Sequence, residues 1–353
     1  MHPFPPGVQS KTADTDRLKI HYLESGPEDG IPVVCLQGNL STGRFYEHLF
    51  PGAPERLRFI APDMRGFGDT ERVPIDATRG LGDWADDTFA LMQALGIDAP
   101  VHLAGWSTGG AAIAAYALAG RPVASLTFID PVSPYGYGGV KLDGTPCFGD
   151  FAGSGGGTGN PEFTAAIDAG DRGADSPTSP RNVINGSYWH PSHREPPERE
   201  DMLVDEILKS ETGDDGYPGD MTPSENWPGV APGTRGILNA LSPKYCNWSA
   251  ITELEAKPPV LWVHGTEDIV VADGAAWEMG TLGKLGLVPG WPGEDVFPPQ
   301  QMVTQIRSVL QRYADAGGSV QMEAFEGSGH GPPIDAAERF KALWFGFLEG
   351  AAT

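Results

Sequence analysis

Cysteine is scarce in this chain, with three among 353 residues. A disulfide-stapled secreted scaffold is thereby excluded. Cys35 lies in an apolar run and reads as a small core residue; Cys147 and Cys246 could pair only if the fold brings them together. Long apolar runs are absent too, and none approaches the roughly 18 residues of a membrane-spanning helix. Basic residues are few: 24 Lys and Arg stand against 47 Asp and Glu, a formal charge of −23. The deficit is not confined to a tail. Residues 134–257 hold 19 acids and 9 bases, and the remainder holds 28 and 15. Nucleic acids and anionic membranes would be repelled by such a surface and are not expected as partners, while a neutral small-molecule substrate is unaffected by it. The opening Met1-His2-Pro3-Phe4-Pro5-Pro6-Gly7 lacks the basic start and apolar core of a secretory signal. A reduced, cytoplasmic setting is the expectation.

What is present is a globular composition, 40% apolar and 20% charged, patterned as short apolar runs alternating with helical spacings. That alternation predicts an α/β fold with a mostly parallel sheet covered by helices. Leu18–Leu23 reads as a half-exposed edge strand. Pro32–Leu36 and Arg58–Ala61 read as continuous buried strands, and Val101–Ala104, Ser125–Ile129, Pro259–His264 and Ser319–Phe325 read as further strands. Helices are predicted over Leu81–Leu95, Ala111–Ala119, Gln301–Ala316 and Asp335–Leu348. Residues 134–257 break the alternation. They are rich in Gly and Pro, hold five of the nine Tyr and three of the nine Trp, and offer one good helical pattern, Glu198–Lys209. This stretch is read as a cap inserted into a core formed by 1–133 and 258–353. A second insertion, Gly280–Gln300, could line the same mouth.

The chemistry is announced by Gly105-Trp106-Ser107-Thr108-Gly109, a G-x-S-x-G between an apolar strand and an Ala-rich helix. A strand turning sharply into a helix tolerates only very small neighbours. It lifts the serine hydroxyl above the sheet, beside a helix N-terminus that favours a developing anion. A serine needs a base and an acid to orient that base. Asp268 follows the Pro259–His264 strand, and His330 stands in Gly327-Ser328-Gly329-His330-Gly331-Pro332 before the last helix. Glu267 and Asp273 lie close to Asp268, and Asp130 at the end of the Ser125–Ile129 strand is an alternative acid. His21 and His102 fall within strands as packing residues, and His264 ends one. His190 and His193 have an H-x-x-H spacing, but Pro191 argues against a helical ligand pair, and no metal is expected there. Gly153–Gly159 looks phosphate-cradling yet lacks the preceding strand, lysine and long helix of a nucleotide site, so it reads as a flexible cap loop and no cofactor is expected.

With Asp63-Met64-Arg65-Gly66-Phe67-Gly68-Asp69-Thr70, the elbow, the Gly265-Thr266-Glu267-Asp268 loop and the late Gly-His in this order, the chain resembles the α/β-hydrolase superfamily over Leu18–Asp130 and Pro259–Leu348. The resemblance implies Ser107 as nucleophile, His330 as general base and Asp268 as its orienter. It also implies an oxyanion hole from the N–H groups of Thr108 and Asn39, with Leu40 as the alternative donor. Gln37 stands where the family usually has His. The expected reaction is hydrolysis of a carboxylic ester or lactone through an acyl-enzyme. Amide cleavage, carbon–carbon bond hydrolysis and cofactor-free perhydrolysis are alternatives for the same triad, and a non-catalytic binding protein is a further one. Leu40, Trp106, Tyr135 and Trp227 are the expected pocket residues, with Tyr137, Trp189, Tyr245, Trp248 and Trp291 as further apolar surface. A medium-to-large neutral substrate is expected.

Overall fold

β-branched and apolar runs bounded by Gly and Pro pair into strands because they fill both faces of a covered sheet. In a computed structural model that describes residues 2–351, seven of them and one polar segment form one eight-stranded sheet. They are β1 (Gln9–Asp14), β2 (Lys19–Ser25), β3 (Ile31–Leu36), β4 (Leu57–Pro62), β5 (Val101–Trp106), β6 (Val123–Ile129), β7 (Val260–Gly265) and β8 (Val320–Phe325). Their order across the sheet is β1-β2-β4-β3-β5-β6-β7-β8, parallel except where β2 pairs with β1 and with β4. The helices of six or more residues, in chain order, are α1 (Gly82–Ala94), α2 (Thr108–Leu118), α3 (Pro161–Asp168), α4 (Pro197–Ile207), α5 (Met279–Lys284), α6 (Met302–Asp315) and α7 (Ala337–Ala351).

The expected edge strand is interior. β2 is covered on its outer side by β1, whose sequence Gln-Ser-Lys-Thr-Ala-Asp carries no apolar alternation and gave no strand signal. Its charges serve as an edge: Lys11 pairs with Glu24 of β2, the kind of polar rim that blunts edge-to-edge association. The last helix starts at Ala337 rather than Asp335, because Asp335 closes a separate short helix, Pro332–Asp335, and the backbone leaves helical geometry at Ala336 (φ −132°).

Residues 134–257 add no strand to the main sheet. They fold as α3, α4, shorter helical turns and two minor two-stranded pairs. Most buried apolar side chains of this stretch, among them Phe163, Ile184, Trp189, Leu203 and Ile237, belong to the same continuous cluster as the sheet core. Its apolar faces are buried against the sheet half rather than in a core of their own. The Gly153–Gly159 loop is likewise not free: Asn239 Oδ1 accepts from the N–H of Gly156 at 2.8 Å, and a side chain on Gly156 would collide with the carbonyls of Gly219 and Asp220. All three cysteines are free thiols, so Cys147 and Cys246 are not paired. None of the described helices is long and apolar enough to cross a membrane.

Candidate active site

The elbow follows from backbone geometry. Ser107 has φ 53° and ψ −113°, a conformation that a non-glycine residue holds only when its surroundings enforce it. They do so here. The Ser107 N–H donates to Ile129 O at 2.9 Å, and its carbonyl accepts from Gly110 and Val132. The flanking glycines are obligatory: a Cβ on Gly105 would lie 2.3 Å from Gly109 O, and one on Gly109 would lie 2.3 Å from Leu36 O. α2 starts at Thr108, directly after the serine, so the N-terminus of the helix lies beside it.

His330 is held on the opposite side by a loop of tight contacts. Its Nδ1 lies 2.8 Å from Asp268 Oδ2. The other Asp268 oxygen accepts from the N–H groups of Val270 (2.7 Å) and Val271 (3.1 Å), so this carboxylate caps its own turn and faces the imidazole at once. A carboxylate on Nδ1 places the proton there and leaves Nε2 as the free base. Both His330 and Asp268 are buried. Burial pushes the His330 pKa down, but the charge and hydrogen bond of Asp268, reinforced by Asp130, outweigh it and leave the pKa raised. Trp106, an expected pocket wall, also serves this loop, since its Nε1 donates to the His330 carbonyl at 2.6 Å.

Asp130 is brought close: its polar atoms, those of Asp268 and those of His330 lie within 4.8 Å of one another. It does not take the orienting position. Its Oδ1 is engaged by His264 Nδ1 at 2.9 Å and Gly265 N at 3.0 Å. Burial and the Asp268 charge push its pKa well up. Glu267 and Asp273 stand away from the imidazole; Asp273 is bonded to Thr304. His102 is a core residue whose burial lowers its pKa to about 4 beside Ser125. His21 does more than pack: it meets Asp63 at 2.7 Å, and Asp63 in turn accepts from Gly43 and Asp69 N–H. His190 and His193 do not converge, being bonded to Ser192 and Glu195.

Behind the elbow, the Gly38–Leu40 loop carries the expected oxyanion donors. Neither the Asn39 N–H nor the Thr108 N–H has an acceptor among the described residues. Leu40 sits at φ 51°. Gln37, which departs from the family's His, ties the loop at both ends: its amide donates to Ser41 O and accepts from Met64 N–H.

Ser107, His330, Asn39, Leu40, Trp106 and Thr108 all face one cavity of about 510 Å³. Its far walls come from residues 134–257, with Tyr137, Phe163, Tyr188, Tyr217 and Leu238, and from the β7–α5 loop, with Ile269 and Trp277. No Asp, Glu, Lys or Arg side chain is among the described lining residues. Two expected pocket residues lie elsewhere. The Tyr135 hydroxyl meets Arg312, and Trp227 turns away, its Nε1 donating to Pro289 O and its ring edge-on to Phe297. Trp227 is drawn outward by the second insertion, whose Trp291 packs beside it over Gly283. Of the other expected aromatics, Tyr137 reaches the cavity; Trp189 and Trp248 are buried in the core. Tyr188, Tyr217, Phe163 and Trp277 carried no periodic signal that marked them as lining.

The model of the alpha/beta hydrolase family matches residues 33–343. Over 100 residues the chain is 39% identical to a cis-3-alkyl-4-alkyloxetan-2-one decarboxylase from Xanthomonas campestris pv. campestris, covering 26% of this chain and 33% of that one. Over 135 residues it is 33% identical to a non-heme chloroperoxidase from Streptomyces lividans, covering 37% and 47%. The chain thus spans less than half the length of these curated relatives. Among solved structures it resembles a serine hydrolase from the polyaromatic-hydrocarbon-degrading bacterium Cycloclasticus zankles, with a TM-score of 0.61, 16% identity and coverage of 98% and 99%.

Proposed function

The chain belongs to the alpha/beta hydrolase family, and from that premise we propose that it is a serine hydrolase cleaving a carboxylic ester or lactone of a medium-to-large, neutral, apolar or aromatic substrate. The observation that carries the reading is the His330–Asp268 pair, 2.8 Å apart, on the same cavity as a serine strained onto an elbow. Ser107 Oγ attacks the acyl carbon while Nε2 of His330 takes its proton. Asp268 stabilises the imidazolium. The N–H groups of Asn39 and Thr108 receive the oxyanion before charge develops, which is where preorganised donors are most effective. His330 then protonates the leaving alkoxide, and water, activated by the same Nε2, releases the acid. A serine at the elbow points away from the epoxide and haloalkane chemistry that an aspartate there would serve.

The size of the cavity and its uncharged walls support the substrate class. Residues 134–257 act in this reading as a cap that sets pocket shape. Perhydrolysis is the second reading, favoured by the likeness to a non-heme chloroperoxidase; here hydrogen peroxide replaces water as acyl acceptor. The test is a panel of p-nitrophenyl esters, aryl amides and lactones, with and without hydrogen peroxide, run on wild-type and Ser107→Ala protein. Ester or lactone turnover lost in the variant is expected. Turnover retained by Ser107→Ala contradicts the assignment, and peroxyacid formation outpacing hydrolysis favours the second reading.

A further inference from the structure

One short stretch of the insertion reaches both loops on which this chemistry depends. The Tyr188 hydroxyl donates to Asn39 O at 3.0 Å and lies 3.5 Å from Leu40 O. Its ring is buried and stands edge-on to Trp106, with centroids 5.6 Å apart. Two residues on, the His190 N–H donates to Asp335 Oδ2 at 2.9 Å. The same oxygen accepts from Gly329 N–H at 2.7 Å, and Asp335 Oδ1 accepts from the Ser328 hydroxyl. The approach is close enough to require glycine: a Cβ on Gly329 would fall 2.5 Å from His190 N, and one on Gly331 would fall 2.6 Å from Tyr188 O. Tyr188 closes a π-helical turn, Ile184–Tyr188, a rare wide turn that recurs at functional positions.

Donors of an oxyanion hole help only if they are fixed before the reaction. The Asn39–Leu40 peptide lies in no helix or strand, and Leu40 holds a positive φ. Gln37 and Ser41 tie the ends of the loop, to Ser41 O and Gly38 O. Among the described residues Tyr188 is the group bonded to the Asn39 carbonyl itself. We propose that Tyr188 is a positioning residue. Its hydroxyl locks the oxyanion loop, while the neighbouring His190 N–H, through Asp335, locks the loop that carries His330. The insertion thereby registers the two halves of the site against each other. The inference rests on the hydrolase reading above.

Tyr188→Phe removes one O–H and keeps the ring against Trp106. On a p-nitrophenyl ester, kcat should fall about tenfold with KM within about twofold, the signature of an interaction made in the transition state. The inhibition constant of an aryl trifluoromethyl ketone, to whose carbonyl Ser107 Oγ adds as its proton passes to His330, should rise by a similar factor. Binding of the intact ester to Ser107→Ala protein should be the same with and without Tyr188→Phe. An unchanged kcat, or a loss that falls equally on ester binding, overturns the proposal. If Tyr188→Phe does not fold, Asp335→Asn carries the test with the same expected split and the same overturning results. A wild-type protein without ester turnover would sink the hydrolase reading itself; an active wild type with an unaltered Tyr188→Phe sinks only this inference.

Discussion

The sheet half and residues 134–257 hold their backbones by different means. In the sheet half, strand pairs from β1 to β8 satisfy one another and the covering helices satisfy themselves. In the insertion, side chains do much of this. Asn239 is the clearest case: buried, it accepts from the N–H groups of Gly156 and Gly233 and donates to the carbonyls of Asp220 and Arg235. Ser154 and Ser242 bond to each other, and Asp220 accepts from Thr234 and Arg235 N–H. The groups proposed to react share this division. Ser107, Asp268 and His330 stand in the turns and loops that follow β5, β7 and β8 in the sheet half, where a rigid scaffold fixes them. The walls that face them come largely from the side-chain-tied half. Chemistry is therefore expected to respond to changes in the first region and selectivity to changes in the second.

The largest effect should follow removal of the nucleophile. Ser107→Ala is expected to lower kcat by more than about 10⁴-fold with the melting temperature unchanged, since a triad loses most of its rate with any one essential member. Asp268→Asn should cost about 10³- to 10⁴-fold by favouring the wrong tautomer of His330. The pH profile sharpens the point. His330 must be unprotonated to act as base, and its pKa is raised by Asp268 and Asp130 against the effect of burial. In the wild type the acid limb of kcat/KM is expected above the ordinary histidine value of about 6.5. In Asp268→Asn the limb should move to lower pH, because the largest raising influence is gone. An acid limb unmoved by that substitution would assign the titration to another group.

Changes in the insertion should act more gently and more selectively. Asn239→Ala leaves several buried backbone groups unpaired and is expected to destabilise the protein by about 2–4 kcal/mol, measured by urea unfolding. Because Asn239 pins the Gly155–Gly159 wall of the cavity, kcat/KM for bulky esters should fall several-fold more than for acetates. Equal losses on both would mean that the insertion does not shape the pocket. Trp227→Phe should be nearly silent, with kcat/KM within about twofold on every ester, because that ring lies outside the cavity.

This division also explains what could be read in the sequence. Period-2 and buried runs placed β2 to β8 to within a few residues, and the elbow glycines were legible because a sharp turn restricts the residue type, whereas Asp268 and His330 were singled out by the resemblance to the α/β-hydrolase superfamily, which implies an acid and then a histidine late in the chain. β1 was invisible because Gln-Ser-Lys-Thr-Ala-Asp pairs by backbone alone. In the insertion, pairing is decided by single side chains far apart in sequence, such as Tyr188 on Asn39 and Asn239 on Gly156, and no local pattern encodes them. Hence Tyr135 and Trp227 looked as eligible for the pocket as Tyr137, while Trp277 and Tyr217 drew no notice. Asp335, legible only as the start of a helix, acts as a brace for the His330 loop.

Every expectation above turns on Ser107 being an activated nucleophile that faces the cavity. The most direct test is to incubate the folded protein with a fluorophosphonate probe and map the adduct by mass spectrometry. Stoichiometric modification of Ser107 is expected, lost in Ser107→Ala and slowed in Asp268→Asn. Folded wild-type protein that takes no label, or takes it on another residue, would contradict it.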